Sequence, residues 1–267
     1  MVFIFARMSE AAALSLDALH ALAEARWHAL PDWTKLRVRR ALSWCHRAEE
    51  APDDDARFLF HWIAFNAAYG QEIPREQESG SNDRESEPHR KPPSEKAKYE
   101  EFVRRLVDLD ATFWRDRMRS EWFKSNYLKI ISNRYVDPMF WRCARGEKPW
   151  DEEKFQKHIK TLEHGYAHMG TDAQKVSESL LSLLKRLYTL RNQIAHGGAT
   201  WDSSVNREQV AAAAALMKAI SLGVVHTMLA YPEARWERPW YPPVDASGRP
   251  IAYHGGYKRP RRLRNRA

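Results

Sequence analysis

"VSESLLSLLKRLYTLRNQIAHGG", residues 176–198, decides how this chain is read. At 100° per residue, Val176, Leu180, Leu183, Leu187, Leu190 and Ile194 fall on one stripe, in steps of 4, 3, 4, 3 and 4. That period belongs to an α-helix with one buried face. A second row climbs by four through Leu184, Tyr188, Asn192 and His196, beginning apolar and ending polar, and Arg191 lies between the two rows. The second row asks for a partner, either another helix of the same bundle or a second subunit. Gly197 and Gly198 follow where a helix ending near His196 needs a residue that accepts positive φ. Thr171 and Gln174 have the spacing of a capping box, so the helix is placed at about 172–196.

Outward from this helix the same spacing recurs, and no segment alternates with period two. The fold class is all-α, with helices expected over 8–29, 33–50, 54–70, 96–131, 151–168, 173–196 and 206–230. Asn206 and Gln209 offer a second capping box. The segment "RFLFHWIAFNAAY", 57–69, is apolar almost all round and reads as a central buried helix. So does 210–229, where five consecutive alanines permit close helix–helix approach. These elements make one all-α domain over 1–232. Residues 71–98 are polar, charged and proline-rich and read as a flexible loop, because they cannot bury enough apolar surface to offset the entropy of ordering. Residues 133–150 read as a structured but irregular crossing, and 233–267 as an extended basic tail.

A chain of 267 residues can build a sizeable core. Two cysteines, Cys45 and Cys143, leave no room for a disulfide framework and suit a reducing compartment. The opening "MVFIFARM" lacks the basic n-region of a signal peptide, and no apolar window is read as a spanning helix. The expectation is a cytoplasmic protein with no membrane partner. The net charge of +8 is concentrated at one end: Arg249, Lys258, Arg259, Arg261, Arg262, Arg264 and Arg266 stand without an acid among them, and without those seven the rest carries +1. Such a tail suits the phosphates of a nucleic acid, or simply keeps the chain in solution.

The polar end of the long helix has two readings. Asn192 and His196 either satisfy carbonyls at the helix C-terminus or form a working site. Asn66 could orient a polar group of that helix, although bonding to a neighbouring backbone carbonyl is the favoured reading for it. Eleven tryptophans, many beside basic residues, are mostly packing; Trp201, Trp236 and Trp240 are the ones placed to stack on bases. His158, His164, His168 and the pair Cys45–His46 come with no paired metal-ligand motif, so no metal site and no cofactor are expected. No glycine-rich loop precedes a helix to cradle a phosphate.

"LRNQIAHGG", 190–198, resembles the signature of HEPN domains, in which an Arg, usually followed by a polar residue, precedes a His with four to six residues between them. Here the pattern is Arg191-Asn192-x-x-x-His196 at the end of a long amphipathic helix, and "FHWIAFNAAYG", 60–70, resembles the upstream helix of bacterial members. The resemblance covers about 33–230 and leaves the loop at 71–98 and the tail unaccounted for. It implies a HEPN-like helical bundle and a metal-independent endoribonuclease of the toxin or antiphage type, working on RNA as a homodimer through the signature helix. An antitoxin or other regulatory protein is a further implied partner. Arg191 and His196 would then be the catalytic pair, Asn192 the supporting residue, and Asn66 and Tyr188 would support the site. Trp201, Arg259, Arg261, Arg262 and Arg264 are the candidate RNA contacts. The chemistry fits these residue types. RNA brings its own nucleophile in the 2′-hydroxyl, an imidazole with a pKa near about 6.5 exchanges protons at neutral pH, and a planar guanidinium stabilises charge growing on phosphoryl oxygens. Some toxin members carry a tyrosine two residues after the His that accepts nucleotides; that position is Gly198 here, so no such modification is expected at it. The alternative is a non-catalytic HEPN module that binds RNA or a protein partner.

Overall fold

Acidic and hydroxyl side chains set where the helices begin. The computed structural model describes residues 14–70, 95–170 and 172–260. Within them Ser15 caps α1 (Leu16–Arg26), Asp53 caps α3 (Asp54–Tyr69), and Asp110 caps α5 (Ala111–Arg119). Ser120 caps α6 (Glu121–Ile131), Asp137 α7 (Pro138–Ala144), Asp151 α8 (Glu152–Ala167) and Asp172 α9 (Ala173–Ala195). In each case a side-chain oxygen accepts from a backbone N–H of the first turn that has no partner inside the helix. The remaining helices are α2 (Asp32–Glu49), α4 (Glu95–Leu109) and α10 (Arg207–Ala230). The described residues are thus all-α, as the periodicity expects.

Helices α2 and α3 pack on one another and α10 lies against both, while α9 crosses α4, α6 and α8. The stripe of α9 is spent as its spacing demands: Val176, Leu180, Leu183, Leu187 and Leu190 are buried, and Ile194 packs partly buried at the end. Close approach to α10 comes through Gly223 as well as the alanines. A Cβ added there would stand 2.8 Å from the Trp114 ring.

The structure departs from the sequence reading in several places, among them the start of α9, where Asp172 is the cap and Thr171 lies outside the described residues. The single helix expected over 96–131 is three, because the Asp110 and Ser120 caps each start a new helix in an apolar run that has no break in its period. The irregular crossing expected over 133–150 takes the form of a 3-10 turn at Arg134–Val136 followed by the short helix α7. The capping box at Asn206 does not form: Asn206 makes no side-chain cap, and Gln209 instead accepts from Asn133 Nδ2 at 2.5 Å. Residues 204–230 do reach the length and apolarity of a membrane span, yet the most apolar 18 residues among them are 78% buried inside the protein, where α10 is part of the core.

The tail departs as well. Residues 71–94 and 261–267 of the expected loop and tail lie outside the described residues, and 95–98 belong to the first turn of α4. Residues 234–260, expected to be extended, run irregularly but are strapped to the bundle. Trp236 is buried against Phe102 and under the Arg105 guanidinium, so it packs and does not present a face to a base. Arg37 of α2, fully buried, donates from Nε and Nη2 to the Glu237 carbonyl (3.1 and 2.6 Å) and from Nη1 to the Ala68 carbonyl (2.6 Å). Further along, Trp27 Nε1 donates to the Gly255 carbonyl at 2.9 Å, and the Tyr257 hydroxyl meets His20 Nδ1. Aromatic rings and carbonyl acceptors hold the strap, and ion pairs of Arg259 with Glu24 and of His254 with Asp32 add to them.

Candidate active site at the end of α9

The last turn of α9 is built to stop. Gly197 takes φ +72°, a conformation that a β-carbon disfavours, and its N–H donates to the Ile194 carbonyl at 3.2 Å. Ala199 N–H closes on the Gln193 carbonyl at 3.0 Å. His196 is the C-cap, its N–H on the Asn192 carbonyl. The helix therefore ends at the signature, and its side chains point outward from a fixed turn.

Arg191 Nη1 donates to Asn192 Oδ1 at 2.9 Å, and both residues are half-buried. The bond fixes the guanidinium beside the amide. His196 is exposed, one turn beyond Asn192 on the same row. Tyr188, one turn before, is 53% exposed and rests its ring 6.0 Å from Trp62. Trp201 is 70% exposed and reaches Asp53 at the start of α3, 3.4 Å from Nε1 to Oδ2. The row of Tyr188, Asn192 and His196 thus stands on an uncovered surface, edged by Trp201.

Asn66 is not brought to this group. Trp201 meets Asp53 and Tyr188 meets Trp62, so α3 and α9 run in opposite directions. Asn66, one turn past Trp62, is level with the part of α9 before Tyr188, away from His196. It is half-buried, and its carbonyl accepts from Gly70 N–H at 2.7 Å. Arg259 is likewise engaged elsewhere: it lies in the strap, 2.7 Å from Glu24 and 4.0 Å from Asp17 on α1. Arg261, Arg262 and Arg264 lie outside the described residues. Trp240 is partly exposed at the start of the strap, its N–H on the Gly70 carbonyl at 3.3 Å.

Sequence reasoning missed the neighbours that come from other helices. Gln193, inside the signature, donates from Nε2 to the Tyr135 carbonyl at 2.6 Å. Arg186, two turns earlier on α9, is buried and paired with Asp137 at 2.9 Å, and its Nε bonds the Ile131 carbonyl at 3.2 Å. These bonds clamp the 134–136 turn onto α9. Arg207, just past the signature loop, binds Asp55 at 2.5 Å. A lone arginine at an i−5 position to the signature carries no sequence mark that it will be buried. Among the described residues no group of three or more His, Cys, Asp or Glu side chains converges; His164 and His168 stack 4.1 Å apart at the end of α8.

The arrangement presents a guanidinium hydrogen-bonded to an amide and, one turn on, a solvent-accessible imidazole. No family model matches the chain, and no curated protein and no solved structure matches it either.

Proposed function

We propose that this chain is a metal-independent endoribonuclease of the HEPN type. The observation that carries the reading is the end of α9: Arg191 held on Asn192 at 2.9 Å, with His196 exposed one turn on at the helix cap. A purely structural C-cap would not need the guanidinium tied beside the amide on an open surface.

In this reading the 2′-hydroxyl of the RNA attacks the adjacent phosphorus, the bond to the 5′-oxygen breaks, and a 2′,3′-cyclic phosphate and a 5′-hydroxyl result. His196 takes the 2′-proton or gives one to the leaving oxygen. Arg191 stabilises the equatorial oxygens as charge grows, and Asn192 keeps the guanidinium in place. One imidazole per chain serves one of the two proton transfers, and a second copy of the chain, docked through the row of Tyr188, Asn192 and His196, supplies the other. DNA lacks the nucleophile and is not cut.

Cleavage of mixed RNA in EDTA tests this. Wild type is expected to cut, and Arg191→Ala and His196→Ala each to lose about 10² or more in rate. Both side chains lie off the core stripe, so the variants keep the fold. Equal cutting by all three proteins, or none by wild type, sinks the nuclease and favours a module of the same fold that binds RNA or a protein without cutting.

A further inference from the structure

Beside the signature helix lies an open cleft of about 530 Å³, bounded by the end of α6, the 134–136 turn and the first turns of α8 and α10. That volume lies within the roughly 300–1,000 Å³ of ordinary ligand sites. Phe155, buried, forms apolar wall, and Tyr135 is a half-exposed ring at 47%. The Arg134 guanidinium lies 5.1 Å from the centroid of that ring. Asn133 Nδ2 donates to Gln209 Oε1 at 2.5 Å, which joins the turn to α10 and leaves the Gln209 NH2 for a ligand. Glu208, next in the chain, adds a carboxylate acceptor, and Lys129 adds a cation.

Two features tie this cleft to the signature. Its Tyr135 carbonyl receives the Gln193 side chain, and Gln193 precedes His196 by three residues, about 4.5 Å of helix rise. The buried Arg186–Asp137 pair then holds the whole turn against α9.

We propose that the cleft receives one base of the RNA strand that is cut at His196. Tyr135 and the Arg134 guanidinium laid over it, with Nη2 on the Tyr135 hydroxyl at 3.2 Å, form the platform on which the base stacks, Gln209 and Glu208 read a donor–acceptor edge of it, and Lys129 meets its phosphate. Charge decides between a nucleotide of a strand and a free one. The two cations face two carboxylates, Glu208 and Glu152, and Arg134 is already 3.8 Å from Glu152. So balanced a site suits a base carrying a single phosphodiester charge and not a free di- or triphosphate. Stacking on an exposed ring and a donor–acceptor pair are what single-stranded RNA offers a protein.

The proposal rests on the endoribonuclease reading, and its test separates the two. The His196→Ala protein leaves RNA intact, so binding of a labelled short oligoribonucleotide is read by fluorescence anisotropy in that background. Adding Tyr135→Ala is expected to weaken binding by about 5- to 100-fold. Gln209→Ala is expected to weaken it less and to change the base preferred at one position. An abasic residue moved along the strand is expected to reproduce the loss at one position only, and to cause no additional loss there once Tyr135→Ala is present. Unchanged melting of the half-exposed Tyr135 and Gln209 variants keeps misfolding out of the result. RNA binding by both variants equal to the parent overturns the cleft, and so does a mononucleotide that saturates the protein without competing with RNA. Failure to cut in EDTA with position-specific base binding retained removes the nuclease and leaves the cleft standing. Cutting retained with both cleft variants binding normally removes the cleft alone.

Discussion

His61 shows how much one side chain can decide at the residue scale. It sits in the core of α3 with Nδ1 3.0 Å from the Ser221 hydroxyl, to which the Cys45 thiol also comes at 3.7 Å, and its Nε2 is buried without a partner. Burial first, then the positive charges of Lys218 and Arg57, push the imidazole down to about 3. The unfolded chain takes its proton near about 6.5 and the folded chain does not until near 3, so the unfolded state holds more protons between those values. Stability is therefore complete above about pH 6.5 and drains as pH falls through that window, by about 2 kcal/mol at pH 5 from this one group. His20, His158 and His226, each also pushed down chiefly by burial, add to the same slope. Urea unfolding at pH 7 and pH 5 is expected to show the loss, and His61→Gln to shrink it. An equal pH slope in that variant would show that the imidazole is not the cause.

At the scale of the element, the caps matter more than the hydrophobic period. Asp110 begins α5 by accepting from Phe113 N–H at 2.9 Å, and its second oxygen accepts from the Tyr231 hydroxyl, also at 2.9 Å. Asp110→Ala loses both bonds and is expected to cost about 1–3 kcal/mol in thermal unfolding, with Asp110→Asn recovering most of it. A loss below about 0.3 kcal/mol would show that packing alone starts the helix. The same bonds explain where the sequence could be read and where it could not. Helices α3, α9 and α10 were legible from their long apolar stretches, although the capping box expected at Asn206 does not form and Asp172 starts α9. The run from 96 to 131 keeps its helical period across Asp110 and Ser120, so the period hid two breaks that short-range hydrogen bonds impose. The positions of Arg191, Asn192 and His196 at a helix end were legible for the first reason. The cleft beside them was not, since it joins 129–135 to 152–156 and 208–209, and only tertiary packing puts those together.

Over the whole molecule, the strap from 234 to 260 changes what the core consists of. Carbonyls at the end of α3 and in the strap take the Arg37 hydrogen bonds, and burial pulls its pKa down to about 10 despite the attraction of the nearby Glu237 carboxylate. It remains charged at neutral pH and holds three segments with one side chain. Arg37→Ala leaves the buried Ala68 carbonyl and the partly buried Glu237 carbonyl without this donor and a cavity in the core, and is expected to cost at least about 3 kcal/mol. Arg37 and Glu237 are 200 residues apart in sequence, so their meeting closes a very long loop, and such contacts form late in folding. The clamp should thus act on the lifetime of the native state and hardly on its rate of formation. In stopped-flow chevrons Arg37→Ala is expected to unfold on the order of 100-fold faster while refolding at nearly the parental speed. A slowed refolding arm would place the clamp in the nucleus instead. If the prediction holds, the strap sets how long the folded bundle persists once formed.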